Sequence, residues 1–175
     1  MNNFSQKKRA ENLYQERILS RWTVVIASAV TGAMLFMLIY QIIVGPVGDR
    51  PAPDWFFLIM FLLFLGITIN FSLLRITITT DSLNVAYGIF KRTIPWREIE
   101  NCYFDNASII NYGGWGIRIG RVRGKWRLVY NVIESPRVVL TLKTPRFKEF
   151  VFSTNQPDKV MAIVKQRVSP RLTAD

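Results

Sequence analysis

The sequence predicts a membrane α-helical hairpin followed by an α+β, mainly β, domain: about seven antiparallel strands closed by a C-terminal helix. Three observations carry this. Two uncharged apolar runs, 22–44 and 55–74, fill much of the first half. After Leu74 the apolar residues recur at every second position. From Pro157 they recur at helical spacing, with Val160, Met161, Ile163, Val164 and Val168 on one stripe.

The runs hold 23 and 20 residues, and about 20 apolar residues cross a hydrocarbon core. A soluble domain of 175 residues would leave much of that surface wet. Arg21 and Trp22 open the first run, Trp55 opens the second, and Arg75 follows it. Aromatic rings and snorkelling cations favour such interface positions. The first run exceeds the roughly 7–15 residues of a signal-peptide core, and no small-residue cleavage pattern follows it. It reads as a retained anchor.

Residues 45–54 carry three prolines and two glycines, which break helices. This link is too short to recross the bilayer, so the two spans form an antiparallel hairpin, with Asp54 as a cap for the second. Lys7, Lys8, Arg9, Arg17 and Arg21 precede the first span, whereas the link has only Arg50. The positive-inside rule therefore places both termini in the cytoplasm. The chain divides into a juxtamembrane segment 1–21, spans 22–44 and 55–74, an external link 45–54, a cytoplasmic domain 75–168 and a tail 169–175. The expected location is an inner or plasma membrane. Ala10, Leu13, Tyr14, Ile18 and Trp22 recur at steps of three and four, which suggests an amphipathic helix or an extension of the first span.

Strand segments are read at Ile76–Thr79, Leu83–Tyr87, Ile94–Phe104, Trp115–Gly120, Trp126–Val132, Arg137–Leu142 and Phe147–Phe152, rich in β-branched and aromatic residues. Asp81-Ser82 and Gly88–Arg92 read as turns. Ser153–Gln156 offers caps for a helix whose first turn holds Pro157 and Asp158.

The order of two spans, strands and one final helix resembles bacterial and archaeal membrane proteins with a pleckstrin-homology-like (bacterial PH) domain. Ile76-Thr77-Ile78-Thr79-Thr80-Asp81-Ser82-Leu83 is similar to the family's opening hairpin. Ile94-Pro95-Trp96-Arg97-Glu98-Ile99 resembles its IPW-x-EI stretch. Gly113-Gly114-Trp115-Gly116-Ile117-Arg118 and Phe152-Ser153-Thr154-Asn155-Gln156-Pro157 resemble two later segments. The resemblance spans about residues 70 to 168. It implies a PH-like fold more firmly than a function. Eukaryotic PH domains gather cations around the first strand–loop–strand to bind phosphoinositides. Here that loop is Asp81-Ser82, so the resemblance implies no such specific site.

The chain has no His and one Cys. This removes His-based acid–base chemistry, Ser-His-Asp and Cys-His arrangements, ordinary zinc sites and an internal disulfide. No cofactor or metal is expected, and the protein reads as a non-enzyme. Glu98 and Glu100 read as solvent-facing or paired with Arg92 or Arg97, and Cys102 as a small core residue. The glycines of Gly113–Gly116 lack a Walker ending and read as a turn or bulge.

The net charge is +11. Its densest run is Arg118, Arg121, Arg123, Lys125 and Arg127, flanked by Trp115 and Trp126. A regular strand places Arg121, Arg123, Lys125 and Arg127 on one face and Trp126 toward the core. Near an anionic leaflet each cation gains about 1 kcal/mol. These five are the candidate contacts for anionic lipid head groups or an acidic protein partner. Nucleic acid is disfavoured, because no recognition helix or RNP-like motif accompanies the charge. In the spans, Ser28-x-x-x-Gly32 and Ala29-x-x-x-Ala33 offer close helix packing, with the second span or another copy. The expected role is a membrane adaptor or scaffold near anionic lipid, or an accessory or assembly subunit of a larger membrane complex.

Overall fold

The structure is a computed structural model that describes residues 11–46, 48, 51–122, 124–143 and 147–172, with the side chains up to 168. The flanking Lys7, Lys8, Arg9 and Ala10, together with Arg50 and Arg123, lie outside these residues, as does all but the backbone of 169–172 in the tail. The chain forms two compact units. One is helical, drawn from Leu19–Leu74 and Tyr87–Phe90. The other is a β unit drawn from the described parts of Met1–Ile18, Arg75–Ala86 and Lys91–Asp175.

The helical unit holds α1 (Arg21–Ile43) and α2 (Asp54–Phe71). Both are long and apolar enough to cross a membrane. Side chains at Ala27, Thr31, Met34, Leu38 and Gln41 are partly or fully covered, a stripe of helical period. At the contact, Thr31 Oγ1 lies 3.3 Å from Thr68 Oγ1, while each hydroxyl donates to the carbonyl four residues earlier in its own helix. Neither of these two hydroxyls is thus left unpaired in an apolar setting. Asp54 is the first residue of α2 rather than its cap, because Pro53 occupies the cap position. The Asp54 carboxylate instead accepts from Gln41 Nε2, which also donates to Ala52 O, both at 2.7 Å.

The β unit has two separate sheets. Strands β1 (Asn12–Leu19), β2 (Leu73–Thr79), β3 (Ser82–Tyr87) and β4 (Phe90–Pro95) form the first, in the order β1-β2-β3-β4. The second holds β5 (Ile99–Phe104), β6 (Gly116–Val122), β7 (Lys125–Asn131), β8 (Arg137–Leu142) and β9 (Glu149–Ser153) in the order β5-β8-β9-β7-β6. The final helix, α3 (Pro157–Leu172), packs on β5, β8 and the 3-10 turn Trp96–Glu98. Val160 and Val164 are fully buried, and Cys102 Sγ reaches Met161 O at 3.7 Å.

Five expectations change, one being that the segment Gly88–Arg92, read as a turn, enters strand β4 at Phe90. The strands do not close into one sheet, and they are nine among the described residues. Pairing is not uniformly antiparallel either: β7 runs parallel to β9. The segment read as one strand, Ile94–Phe104, is broken by the Trp96–Glu98 turn, whose indole donates to Thr79 O at 3.2 Å. Finally, the segment before the first span is strand β1, not an amphipathic helix. Its inner face is Tyr14, Glu16 and Ile18. Glu16 hid the period of two, because an acid on the covered face reads as a break. It is satisfied there by Thr154 Oγ1 at 2.6 Å, Asn155 N at 2.7 Å and the Tyr14 hydroxyl at 2.8 Å.

The chain therefore leaves the first sheet after β1, makes both long helices, and returns as the neighbouring strand β2.

Candidate functional site

The basic run folds as the β6–β7 hairpin at one edge of the five-stranded sheet. Val122 pairs with Lys125, so the connecting turn has two residues. That turn inverts the parity of the faces. Even positions of β6 share a face with odd positions of β7. Arg118, Gly120 and Val122 thus lie with Lys125, Arg127 and Val129, while Ile119 and Arg121 lie with Trp126 and Leu128.

The expected single cationic face does not form. Arg118 is exposed, and its Nε donates to Trp115 O at 3.1 Å. Arg121 is exposed on the opposite face, with its guanidinium carbon 5.9 Å from the centre of the Trp126 ring. Arg123 lies outside the described residues. Lys125 is exposed and reaches Glu149 Oε1 at 3.2 Å. Arg127 is only 5% exposed, and Trp126, expected to point inward, is 52% exposed. The exchange follows from the turn: a regular alternation through an unbroken strand would have put them the other way round.

Arg127 is the hub of a buried polar cluster that the sequence reading did not assemble. Its Nε donates to Glu149 Oε2, its Nη1 to the Tyr112 hydroxyl at 2.6 Å, and its Nη2 to the Tyr103 hydroxyl at 3.2 Å. Asp105 Oδ1 lies 3.5 Å from Nη1, and Asp105 Oδ2 accepts from Arg137 Nε at 2.7 Å. The Tyr112 hydroxyl donates to Asp105 at 3.1 Å, and the Arg137 guanidinium sits over the Tyr112 ring at 5.5 Å. Arg137 also donates to Ala107 O. Every strand of the second sheet contributes to this arrangement or its cover. Tyr103 comes from β5, Arg137 from β8, Glu149 from β9 and Arg127 from β7, while the 3-10 turn Ile109–Tyr112 lies over β6.

Gly120 makes that cover possible. A Cβ at this position would stand 3.0 Å from Tyr112 Cδ1. The turn itself ends at Gly113, whose φ of 72° lies in the left-handed region. The next residue, Gly114, has φ 110°. The glycines thus serve a turn, as their sequence suggests. Beneath, Tyr112 packs with Val129, Val139 and Val151.

Burial, then the hydrogen bond and charge of Glu149, push the Tyr103 hydroxyl up to about 12. Burial also raises Tyr112, although the Arg127 hydrogen bond works against it. Burial opposes the charge on Arg127, yet Tyr112, Glu149 and Tyr103 more than offset this and hold it above its usual value. The cluster is thus composed of neutral phenols, permanent guanidinium groups and carboxylates that accept from them. Cys102 behaves as the sequence suggests: it is buried, and burial raises its thiol.

Beside the cluster opens a cleft of about 700 Å³, whose lining includes Tyr103, Asp105, Asn106, Ser108, Arg121 and Arg127. Glu149 was the sequence signal for this region. It stands in Phe147–Phe152, a segment otherwise apolar but for Lys148, where an acid needs a partner. No protein-family model matches the chain, and no curated protein or solved structure matches it.

Proposed function

We propose that the protein is a non-enzymatic membrane adaptor whose PH-like β unit docks on anionic lipid at the cytoplasmic face of an inner or plasma membrane. The observation that carries this is the exposed side of the β6–β7 hairpin, where Ile119, Arg121 and Trp126 stand together. A large aromatic ring, a branched aliphatic chain and a cation suit the boundary between head groups and acyl chains. The buried cluster is read as the scaffold that holds this hairpin, because its cations already meet carboxylates and phenols. Topology supports the same reading. Neighbouring strands β1 and β2 flank the helical hairpin in the chain, so a hairpin that crosses the bilayer twice would return the chain to the side it left. The Lys/Arg excess on that side makes it cytoplasmic.

The test is hydrogen exchange of the full chain in nanodiscs. Phosphatidylglycerol discs should slow exchange across 116–131 relative to phosphatidylcholine discs. High salt should abolish the difference, as should Arg121→Gln with Trp126→Ala. Equal exchange in both discs at low salt would overturn the reading.

A second reading, an accessory or assembly subunit, is favoured by one feature. Ser28, Ala29, Gly32 and Ala33 are exposed on α1, away from the Thr31–Thr68 contact. Such small residues let a further helix, of a partner or a second copy, approach closely. This reading predicts a companion that co-purifies at fixed stoichiometry in mild detergent, and loss of it in Gly32→Leu.

A further inference from the structure

Charge is not balanced around Arg127. Lys125, Arg127 and Arg137 are the three cations bonded to only two carboxylates, Asp105 and Glu149. Both carboxylates are shared between two cations. Arg121 lines the adjoining cleft and adds a fourth positive charge. Among the described residues, Asp105 is the only acid in that lining, and it is already held by Arg137, Tyr112 and the Ala107 N–H. Of the residues that line the cleft, Arg121 and Arg127 are cations against the single acid Asp105, so its wall carries one positive charge in excess.

The uncommitted polar groups include several donors. Ser108 Oγ accepts from Ile110 N, which leaves its hydroxyl hydrogen to give. The side-chain amides of Asn106 and Asn111 line the same cleft and make no hydrogen bond among the described residues. Arg127 supplies an almost fully buried guanidinium whose Nε and Nη1 are held by Glu149 and Tyr112 and whose Nη2, bonded to the Tyr103 hydroxyl, keeps a second hydrogen to give, and Arg121 supplies an exposed one. Guanidinium forks with hydroxyl and amide donors suit a phosphate group, which presents several strong acceptor oxygens. The volume of about 700 Å³ falls within the range of small-molecule sites and exceeds what a bare ion fills.

We propose that this cleft binds a phosphate-bearing ligand, held by Arg121, Arg127, Ser108, Asn106 and Asn111. This goes beyond docking on a lipid surface, because it names a cleft beside the buried Arg127 cluster, which shares only Arg121 with the Trp126 face. The phosphate has two chemical sources: the head group of an anionic lipid, or a soluble phosphate ester.

The experiment has two arms on the full chain. In maltoside micelles, glycerol 3-phosphate is titrated and followed by calorimetry. In nanodiscs, hydrogen exchange of 105–112 is compared between phosphatidylglycerol and phosphatidylcholine. Heat of binding in the first arm assigns a soluble ester, and protection of 105–112 in the second arm alone assigns a head group. Arg121→Gln or Asn111→Leu should each weaken binding about tenfold, the effect of one lost charge-assisted or amide hydrogen bond to a charged group. Both positions are exposed, so thermal unfolding should stay unchanged, whereas Arg127 is avoided because its loss disturbs the core. Trp126→Ala should leave glycerol phosphate binding intact while removing surface protection of 116–131, so the two proposals fail separately. Neither heat nor protection, or binding that survives both cleft substitutions, would overturn the proposal.

Discussion

Arg127 and Glu149 face each other on the parallel strands β7 and β9, and the guanidinium Nε donates directly to the carboxylate. Both side chains are almost fully removed from solvent. Such a pair is costly to bury and more costly to break. Among the described residues, Arg127→Met leaves half-exposed Lys125 as the one cation bonded to Glu149 and Arg137 as the one cation bonded to Asp105. It should cost about 3–5 kcal/mol, read from denaturant unfolding of the full chain in detergent. Arg127→Lys keeps the charge but loses the planar fork, and should fall between the two. A cost below about 1 kcal/mol, the scale of a surface pair, would mean that the cluster is not structural.

Strand β1 gives the β unit an unusual dependence on sequence that lies before the helices. Its Glu16 accepts from Thr154 and Asn155 at the entry to α3. Glu16→Ala leaves a backbone N–H and a hydroxyl without that partner and should destabilise by about 1–3 kcal/mol. A fragment starting at Arg75 has no β1 at all and should give a poorly dispersed amide spectrum. Linking residues 11–19 ahead of it should restore dispersion. A well-folded fragment without β1 would contradict this.

Gly88 has φ 48°, and a Cβ there would clash with Asn70 Oδ1. That same oxygen accepts from Ile89 N at 2.9 Å. Gly88→Ala should therefore lower stability by at least about 1 kcal/mol, from backbone strain and displacement of the Asn70 amide. Melting of the full chain in micelles checks this, and an unchanged midpoint would argue against the Asn70 contact.

Two phenols report pH. Burial and its neighbour Glu149 raise Tyr103 to about 12, and burial with Glu16 raises Tyr14 to about 12, both from 10.0. A phenol whose folded value exceeds its unfolded value favours folding fully below the unfolded value. That contribution is lost as pH rises through the folded one. Stability should hold to about pH 10 and fall between 10 and 12. Absorbance near 295 nm should show these two phenolates forming late, and Tyr103→Phe with Tyr14→Phe should shrink the pH dependence.

The helical and late β elements were legible because each carried one strong signal. An uncharged run the length of a bilayer marked α1 and α2, and the stripe Val160, Val164, Val168 marked α3. The strand β8 was read at its full extent, Arg137–Leu142. Strand β1 was missed because Glu16 interrupts its inner face, and the acceptor role that makes an acid tolerable there depends on residues far along the chain. The hairpin was located correctly, but its faces were misassigned at Arg127 and Trp126. Face parity across a hairpin depends on the length of the turn, and a turn of two residues reverses it. The Asp105–Arg127–Glu149 cluster was invisible for a related reason. Arg127 and Glu149 sit on different strands, Asp105 follows the end of β5, and they meet only through the order β5-β8-β9-β7-β6, which no local pattern encodes.

The central proposal is that the long helices cross a membrane and that the chain on both flanks of them builds one β unit on its cytoplasmic side. Single-cysteine reporters test it most directly, in a Cys102→Ser background reconstituted by expression into right-side-out membrane vesicles. Gln15→Cys lies on β1, Gln156→Cys precedes α3, Pro51→Cys sits in the link, and all three positions are exposed. An impermeant maleimide should label Pro51→Cys in sealed vesicles, and Gln15→Cys and Gln156→Cys only once the vesicles are opened. Labelling of Gln15→Cys and Gln156→Cys from opposite sides, or of Pro51→Cys together with them, would contradict the account.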